Sequence, residues 1–592
     1  MKIKINRNTI WAEAFVNELV SSGIKYASLS PGSRNTPLTL AFASNKKIKS
    51  FVNVDERSSG FFALGLAKSI NSPVVIVCTS GTATAELYPA IIEAYQQRVP
   101  LIICTADRPA ELRGRGANQT INQNNLYKNH IRWFYDAGLP EPFLKDIIKL
   151  KAAAKLAVNK CNIIAKGPVH INFPFKKPFE PNTITDEIDE RHLIFKEENL
   201  NNDKILSGKK VIKYSNRSWF KNIYSLITSK VKGIIICGPG NFNKDFIKEC
   251  NNLSIRLGYP IFADGTSQFR FGIHNKSNIV SNYDALLRSS NFSKKIQPEV
   301  ILQFGRTVTS KGLETFLKSC PAERYMINDY GDWFDPAEQA KAAYKSDPHQ
   351  FCKQMNNVLE LNKFKRELTE WQSFIFNAEN KSSKIRDNII NKSSSLNECR
   401  IIEEILEIAP KGTNIMLSNS MPIRDFDYFA SIKNKVINVY NNRGASGIDG
   451  ITSTAFGISA VSSKPTILLT GDLAFYYDLN ALLISQKIKT SLTIILLNNN
   501  GGGIFEVLPI SNYGKIFKDY FVVPHKLNFS KLVNAYNGKF YSVKNWKHFH
   551  KLLDQGLKNK YMTVLEVKTD AVKSLKLRRK FWDKVNISFF EN

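Results

Sequence analysis

The chain has 592 residues, and 43% of them are apolar, so three or four globular domains are expected rather than one core or a disordered chain. Its 82 basic and 52 acidic residues leave a net charge of +30. The lysines are scattered among asparagine and isoleucine, with no dense basic block carrying interleaved aromatics, which reads as compositional bias and argues against a nucleic-acid-binding surface. The apolar runs, such as 73–78, 101–104, 233–237 and 493–497, fall far short of the roughly 20 residues a membrane span needs. No apolar stretch follows the basic start of the chain, so no signal peptide is expected. Eight scattered cysteines without a Cys-x-x-Cys pair fit a reducing, cytoplasmic setting.

From the start of the chain, residues 10–19 read as an amphipathic helix, 26–29 as a strand and 36–43 as a helix. Alternation continues through a helix over 58–68, a strand over 73–78, a helix over 85–95 and strands over 101–106 and 169–173. Strands separated by helices predict a doubly wound parallel sheet over 1–185. Three of its loops carry chemistry. Ser30-Pro31-Gly32-Ser33-Arg34-Asn35-Thr36-Pro37 links a strand to a helix. Glu56 follows a short strand and opens an apolar helix, where a carboxylate is favoured by the helix dipole. Thr105-Ala106-Asp107-Arg108-Pro109 is followed by Gly116-Ala117-Asn118-Gln119-Thr120. Arg34 and Arg108 suit bidentate recognition of carboxylates, or ordinary surface ion pairs.

Residues 186–210 are polar and read as a linker. Residues 211–355 repeat the strand–helix pattern, with Gly238-Pro239-Gly240 and Gly305-Arg306 at strand ends. A dinucleotide fingerprint is incomplete, because position 243 is Asn. Ser310-Lys311-Gly312 falls at the same ligand edge, which makes Lys311 either a substrate contact or a solvated lysine. Residues 356–395 are charged and helical in pattern and read as a second joint, ending in Lys392-Ser393-Ser394-Ser395. The alternation then resumes over 396–592, and its similarity to the first third suggests a duplicated fold.

In this last third, Thr470-Gly471-Asp472 and Asn498-Asn499-Asn500-Gly501-Gly502-Gly503 each follow an apolar run. Each is expected just past the carboxyl end of a buried strand, the ligand edge of an α/β sheet. Asp472 and Asn499 offer hard oxygen ligands suited to Mg²⁺, which leaves room for phosphate oxygens. The glycines allow close approach of a diphosphate. This arrangement resembles the diphosphate-binding motif of thiamine-diphosphate enzymes.

With Thr79-Ser80-Gly81-Thr82-Ala83, Ser418-Asn419-Ser420-Met421-Pro422-Ile423-Arg424 and Asn442-Arg443-Gly444-Ala445-Ser446-Gly447-Ile448-Asp449-Gly450, the loops together resemble one family. It is the 2-succinyl-5-enolpyruvyl-6-hydroxy-3-cyclohexene-1-carboxylate synthases of menaquinone and phylloquinone biosynthesis. The resemblance implies an α/β fold of three doubly wound parallel-sheet domains: a pyrimidine domain, a central nucleotide-fold-like domain and a diphosphate domain. It also implies a thiamine-diphosphate-dependent decarboxylation of 2-oxoglutarate, coupled to addition of the resulting succinyl-semialdehyde carbanion to isochorismate. Glu56 would be the catalytic, cofactor-activating carboxylate, and Ile448 would support the bent cofactor beside Gly471. Asp472, Asn499 and Gly501 would hold Mg²⁺ or Mn²⁺. Arg34, Arg108, Asn118, Gln119, Lys311, Ser420, Arg424 and Arg443 would face substrate. A homodimer or homotetramer follows, because the two ends of the cofactor lie on different subunits in this superfamily.

Both substrates carry two carboxylates, which agrees with four arginines in these loops. None of the eight histidines, at 130, 170, 192, 274, 349, 525, 548 and 550, falls in one of them, which argues against a histidine-driven proton shuttle. His170 reads as a packed structural residue. The competing readings are another thiamine-dependent 2-oxoacid decarboxylase or carboligase, such as an acetolactate-synthase relative, and an inactive regulatory paralogue.

Overall fold

The computed structural model describes residues 2–183, 186–189, 217–489 and 491–589. Three six-stranded sheets, each with helices around it, organise the chain. The first runs, edge to edge, Lys49–Val52, Tyr26–Leu29, Val74–Cys78, Leu101–Asp107, Val169–Pro174 and Phe134–Asp136, all parallel. The third runs Asn438–Asn441, Asn414–Leu417, Thr466–Gly471, Leu492–Asn498, Thr563–Lys568 and Lys539–Ser542, again all parallel. Numbered by chain position within each sheet, both have the order 2-1-3-4-6-5. The middle sheet has the order 3-2-1-4-5-6 over Ile279–Val280, Ile261–Ala263, Gly233–Cys237, Val300–Phe304, Glu323–Asn328 and Ala340–Lys345. The duplicated pattern of the first and third thirds is therefore a shared topology, and the middle third has the order of a dinucleotide fold.

The central strands form because they are continuous runs of β-branched and aliphatic residues. Val74–Cys78 and Leu101–Asp107 are buried at every position, as expected for parallel strands covered by helices on both faces. All eight cysteines are free and buried. His170 is fully buried against Thr105 Oγ1 at 2.7 Å, and burial pushes its imidazole down to about 3. Among the described residues no helix is long and apolar enough to cross a membrane.

The two joints differ from their polar appearance. Of the first, residues 190–210 lie outside the described residues, while Asp186–Asp189 pairs antiparallel with Lys2–Ile5. The second, 356–395, is not a tether. Pro348–Leu361 continues into it, and Glu370–Asn391 forms one helix behind a Thr369/Gln372 capping box. Trp371, Ile375, Ala378, Ile389 and Ile390 bury one face of that helix in a core shared with the middle and third sheets. Glu379 on the same helix accepts from the backbone N–H groups of Ser281 and Asn282 at 3.0 and 2.9 Å. The charges that suggested a joint occupy only the exposed stripe.

The first and third units of the chain meet through helices Glu56–Ile70 and Ile451–Ala460. A Cβ on Gly65 would lie 2.1 Å from the Thr454 carbonyl oxygen, and one on Gly457 would lie 2.1 Å from that of Phe62. The two backbones touch, and Phe61, Phe62, Leu66, Ile451, Ala455 and Phe456 close a core around the crossing. Gly65→Ala is expected to cost about 3 kcal/mol, because the obstacle is main chain and cannot rotate away. Chemical denaturation would read this; an unchanged midpoint would show that the crossing can relax.

Candidate active site

In open α/β sheets ligands bind beyond the carboxyl ends of the strands, where the strand order reverses. In the first sheet that point lies between Tyr26–Leu29 and Val74–Cys78, so Ser30 and Thr79 flank it. The two loops are in tight contact: a Cβ on Gly32 would lie 2.4 Å from that of Thr79. Asn35 pins the turn by donating to the Ser30 carbonyl at 2.9 Å. Arg34 donates to the Phe175 carbonyl at 2.5 Å and lies over the Phe179 ring. Burial, with repulsion from Arg108, brings its guanidinium down to about 10. Arg108 is 8% exposed and donates to the Ser80 hydroxyl. Gln119, at φ +54°, donates to the Ser80 carbonyl at 3.0 Å. Arg108 and Gln119 thus converge on the end of Val74–Cys78, while Arg34, near enough to Arg108 to be repelled by it, turns to the end of Val169–Pro174. Asn118 is exposed beside them. Gln123, which the sequence did not single out, is the buried pin of this cluster: it accepts from Gly81 N and donates to the Ala106 carbonyl.

Glu56 is the first residue of its helix, after the Asp55 cap, and is half-buried. Burial pushes its carboxyl up and its own backbone N–H opposes this, while Asp55 and Glu86 add to the rise.

In the third sheet the reversal lies between Asn414–Leu417 and Thr466–Gly471, and the sequence motifs fall on both sides of it. Ser420 caps helix Met421–Phe429 at φ +71°, a strained position for a residue with a Cβ. Arg424 folds back to donate to the Ser420 carbonyl at 2.6 Å. Asn419 donates to the carbonyls of Asn442 and Gly447, each at 2.7 Å, and so clamps the loop that carries Arg443 and Ile448. Burial lowers the Arg443 guanidinium, with repulsion from Arg424 adding to it.

The first unit holds the same loop. Buried Glu93 accepts from the backbone N–H groups of Gly444 and Ala445 at 2.8 and 2.6 Å. Lys68 donates to Asn442 Oδ1 at 2.6 Å, and burial brings its ammonium down to about 8. Neither residue has a local signature, because each acts across more than 340 positions.

Asp472 opens helix Asp472–Tyr477 and is 2% exposed. Its carboxylate accepts from Gly501 N at 3.0 Å and Leu473 N at 2.7 Å. Burial raises its pKa, against the pull of Gly501 N and His525. Asn499 donates through Nδ2 to Glu398 Oε1 at 2.9 Å, while its Oδ1 is buried without a hydrogen-bond partner. Gly501, at φ +140°, runs under the chain at Val522, whose carbonyl oxygen would lie 2.1 Å from an added Cβ. The Gly501 carbonyl accepts from Gly503 N at 2.9 Å, which leaves it a second lone pair. An added Cβ on Gly471 would meet open space.

Ser420, Arg424, Arg443, Ile448, Gly471, Asp472, Asn499 and Gly501 line one cavity of about 360 Å³. Glu56, Arg34, Arg108, Asn118 and Gln119 do not line it. Lys311 stands apart from both clusters: it heads helix Lys311–Ser319, is 64% exposed and pairs with Glu314 at 3.0 Å. At the middle sheet's own reversal point the two loops touch, since a Cβ on Gly238 would lie 1.9 Å from the Arg306 carbonyl oxygen. Histidine also needs a correction. His525 lies outside every sequence motif, yet its Nε2 is 3.2 Å from Asp472 Oδ2, so one histidine does reach the site.

Among the described residues no three His, Cys, Asp or Glu side chains are arranged to hold a metal. The donors here are instead one carboxylate, one orphaned amide oxygen and one main-chain carbonyl, beside a glycine facing open space. Such a set fits a hard divalent cation that shares its remaining positions with phosphate oxygens. Among the described residues, Arg34, Arg108, Arg424 and Arg443 form no ion pair.

Three family models match in chain order: the thiamine pyrophosphate enzyme N-terminal TPP binding domain over 11–126, the middle domain of thiamine pyrophosphate enzymes over 211–417, and the C-terminal TPP binding domain over 430–567. The fold and these matches define a thiamine-pyrophosphate-dependent enzyme. A solved thiamine diphosphate-dependent 4-hydroxybenzoylformate decarboxylase from Rhodococcus jostii RHA1 shares the fold, with a TM-score of 0.66 at 15% identity over 95% of this chain and 99% of that one.

Among curated relatives, a 2-succinyl-5-enolpyruvyl-6-hydroxy-3-cyclohexene-1-carboxylate synthase from Geobacillus kaustophilus is 37% identical over 98% of both chains. Synthases of the same name from Haloquadratum walsbyi and Trichodesmium erythraeum are 35% identical over 99% of both chains and 37% identical over 95% of this chain and 96% of the relative. The chain belongs to the 2-succinyl-5-enolpyruvyl-6-hydroxy-3-cyclohexene-1-carboxylate synthase family.

Proposed function

We propose that the chain catalyses the family reaction: loss of CO₂ from 2-oxoglutarate and addition of the remaining four-carbon unit to isochorismate. The observation that carries this reading is the set of four arginines that, among the described residues, have no ion-pair partner, two in each cluster. Each substrate brings two carboxylates, and buried or half-buried guanidinium groups are suited to hold them.

Bound thiamine diphosphate would supply the nucleophilic carbon and electron sink that 2-oxoacid decarboxylation requires. The chain's own residues do the rest. Asp472, Asn499 Oδ1 and the Gly501 carbonyl would hold Mg²⁺ or Mn²⁺, and the open face of Gly471 would admit the diphosphate. Ile448 supports the cofactor from its half-buried place in the cavity. Glu56 would hold a proton toward the pyrimidine ring of the bound cofactor, a role favoured by the burial that raises its carboxyl. Arg34, Arg108, Gln119 and Asn118 bind substrate from the first unit, and Ser420, Arg424 and Arg443 bind it from the third. Lys311 takes part only if its exposed side chain leaves Glu314.

Each cluster is half a site. Glu56 and the first pair of arginines lie outside the cavity that holds the metal donors, so we assign them to the cavity of a second copy in a homodimer or dimer of dimers. The absence of a membrane-crossing helix among the described residues is compatible with a cytoplasmic enzyme.

The test is incubation with thiamine diphosphate, Mg²⁺, 2-oxoglutarate and isochorismate. CO₂ release matched by the coupled product is expected. Activity on pyruvate with no coupling to isochorismate would replace this reading with another 2-oxoacid carboligase.

A further inference from the structure

Asn499 is an amide, and an amide can present either its oxygen or its nitrogen to a neighbour. Only the oxygen can bind a cation, so something must choose. The residue that touches the other end of the amide is Glu398, which is 2% exposed and lies at the back of the cavity. Its Oε1 accepts from Asn499 Nδ2 at 2.9 Å and from Thr569 Oγ1 at 3.0 Å. Its Oε2 accepts from Arg578 Nη2 at 2.5 Å.

Arg578 is itself 2% exposed and is held by Asp425 through Nε and Nη2, each at 2.6 Å. It stands on helix Ala571–Ile587, and Asp425 stands beside Arg424 on helix Met421–Phe429. The whole relay is therefore built from four separate segments of the third unit. A carboxylate with donors on both oxygens can only accept, so it takes the NH₂ end of Asn499 and turns Oδ1 away from itself. That oxygen is the buried one without a partner.

We propose that Glu398, locked by Arg578, is a positioning residue that selects the amide orientation of Asn499 and so makes it a metal ligand. This rests on the metal-site reading given above. Groups of this kind behind a ligand typically matter 10- to 100-fold in metal affinity.

Glu398→Gln keeps the volume but adds an NH₂ group. Facing Arg578, that group would set donor against donor; facing Asn499, it turns the Asn499 amide over and offers the cation a nitrogen-bound hydrogen. Mn²⁺ binding, measured with thiamine diphosphate present by the electron paramagnetic resonance of free Mn²⁺, is expected to weaken about 30-fold. The decisive variant adds Asn499→Asp. A carboxylate accepts from Gln at 398 with one oxygen and ligates with the other, so the double variant should bind Mn²⁺ within about fivefold of the unmodified protein. Asn499→Asp alone sets carboxylate against carboxylate and should bind more weakly than the double variant, although it has more negative charge at the site.

This ordering does not depend on the stability of Glu398→Gln by itself, since it compares Asn499→Asp with the double variant. Unchanged Mn²⁺ affinity in Glu398→Gln, or a double variant no better than Asn499→Asp, would overturn the positioning role while leaving the metal site standing. An unmodified protein that binds no Mn²⁺ in the presence of thiamine diphosphate would overturn both.

Discussion

Replacing Glu56 by glutamine is expected to cut turnover about a thousandfold, the range of a positioned proton-transfer group. The fold should not change. The helix cap is made by Asp55, which accepts from Ser58 N at 2.9 Å, so the exchange removes a titratable group and no cap. The half-buried setting that raises the Glu56 carboxyl also keeps competing water from much of its surface. Glutamine matches the shape but cannot share a proton with the ring nitrogen. Thiamine diphosphate affinity should therefore fall far less than turnover. Steady-state CO₂ release, beside a thermal unfolding curve, separates the two effects. Turnover within tenfold of the unmodified enzyme would remove Glu56 from the proposed chemistry.

Asp472→Ala should fail at the other end of the site. Asp472 is nearly fully buried and supplies the only carboxylate among the three proposed metal donors. Its loss leaves Gly501 N and Leu473 N without their acceptor and the cation without its charged ligand. Removing one partner of a buried charged pair costs about 3 kcal/mol, equivalent to roughly a hundredfold in affinity. Calorimetric titration of thiamine diphosphate in the presence of Mg²⁺ should show that loss, and high Mg²⁺ should recover part of it. Co-expression with Glu56→Gln offers a sharper check. If each site draws its halves from two chains, a mixed dimer holds one intact site and regains activity. No recovery would place both halves in a single chain.

Much of this was legible in the chain. The β-branched runs at 73–78 and 493–497 were readable because a strand buried on both faces needs nothing else, and the structure places the strands at Val74–Cys78 and Leu492–Asn498. Asp472 and Asn499 were readable because consecutive parallel strands bring their carboxyl ends to one edge. The residues that hold those loops were not. Glu93, Lys68, Glu398 and His525 act through contacts that no local period or spacing encodes. Helix Glu370–Asn391 was misread as a joint because its buried positions are diluted by charge on the outer face. For Lys311 the sequence leaves open a substrate contact or a solvated lysine: it stands at the ligand edge of the sheet, and its side chain turns to Glu314 and solvent.

The glycine crossing between Glu56–Ile70 and Ile451–Ala460 has a mechanical consequence. Two helices separated by side chains can slide as rotamers exchange, but two backbones in contact cannot. The first and third sheets of one chain therefore move as a single stiff body, and neither can hinge to widen a cavity. Any adjustment that admits a large ligand must come from loops at the rim. The segment around Val522 is suited to this, because its ties are local: the Val522 carbonyl to Gly502 N at 2.7 Å, Lys526 N to Asn500 at 2.8 Å, the approach of His525 to Asp472 and the ring contact of Phe521 with Phe505. Opening there costs a few hydrogen bonds, whereas opening at the crossing would cost the core.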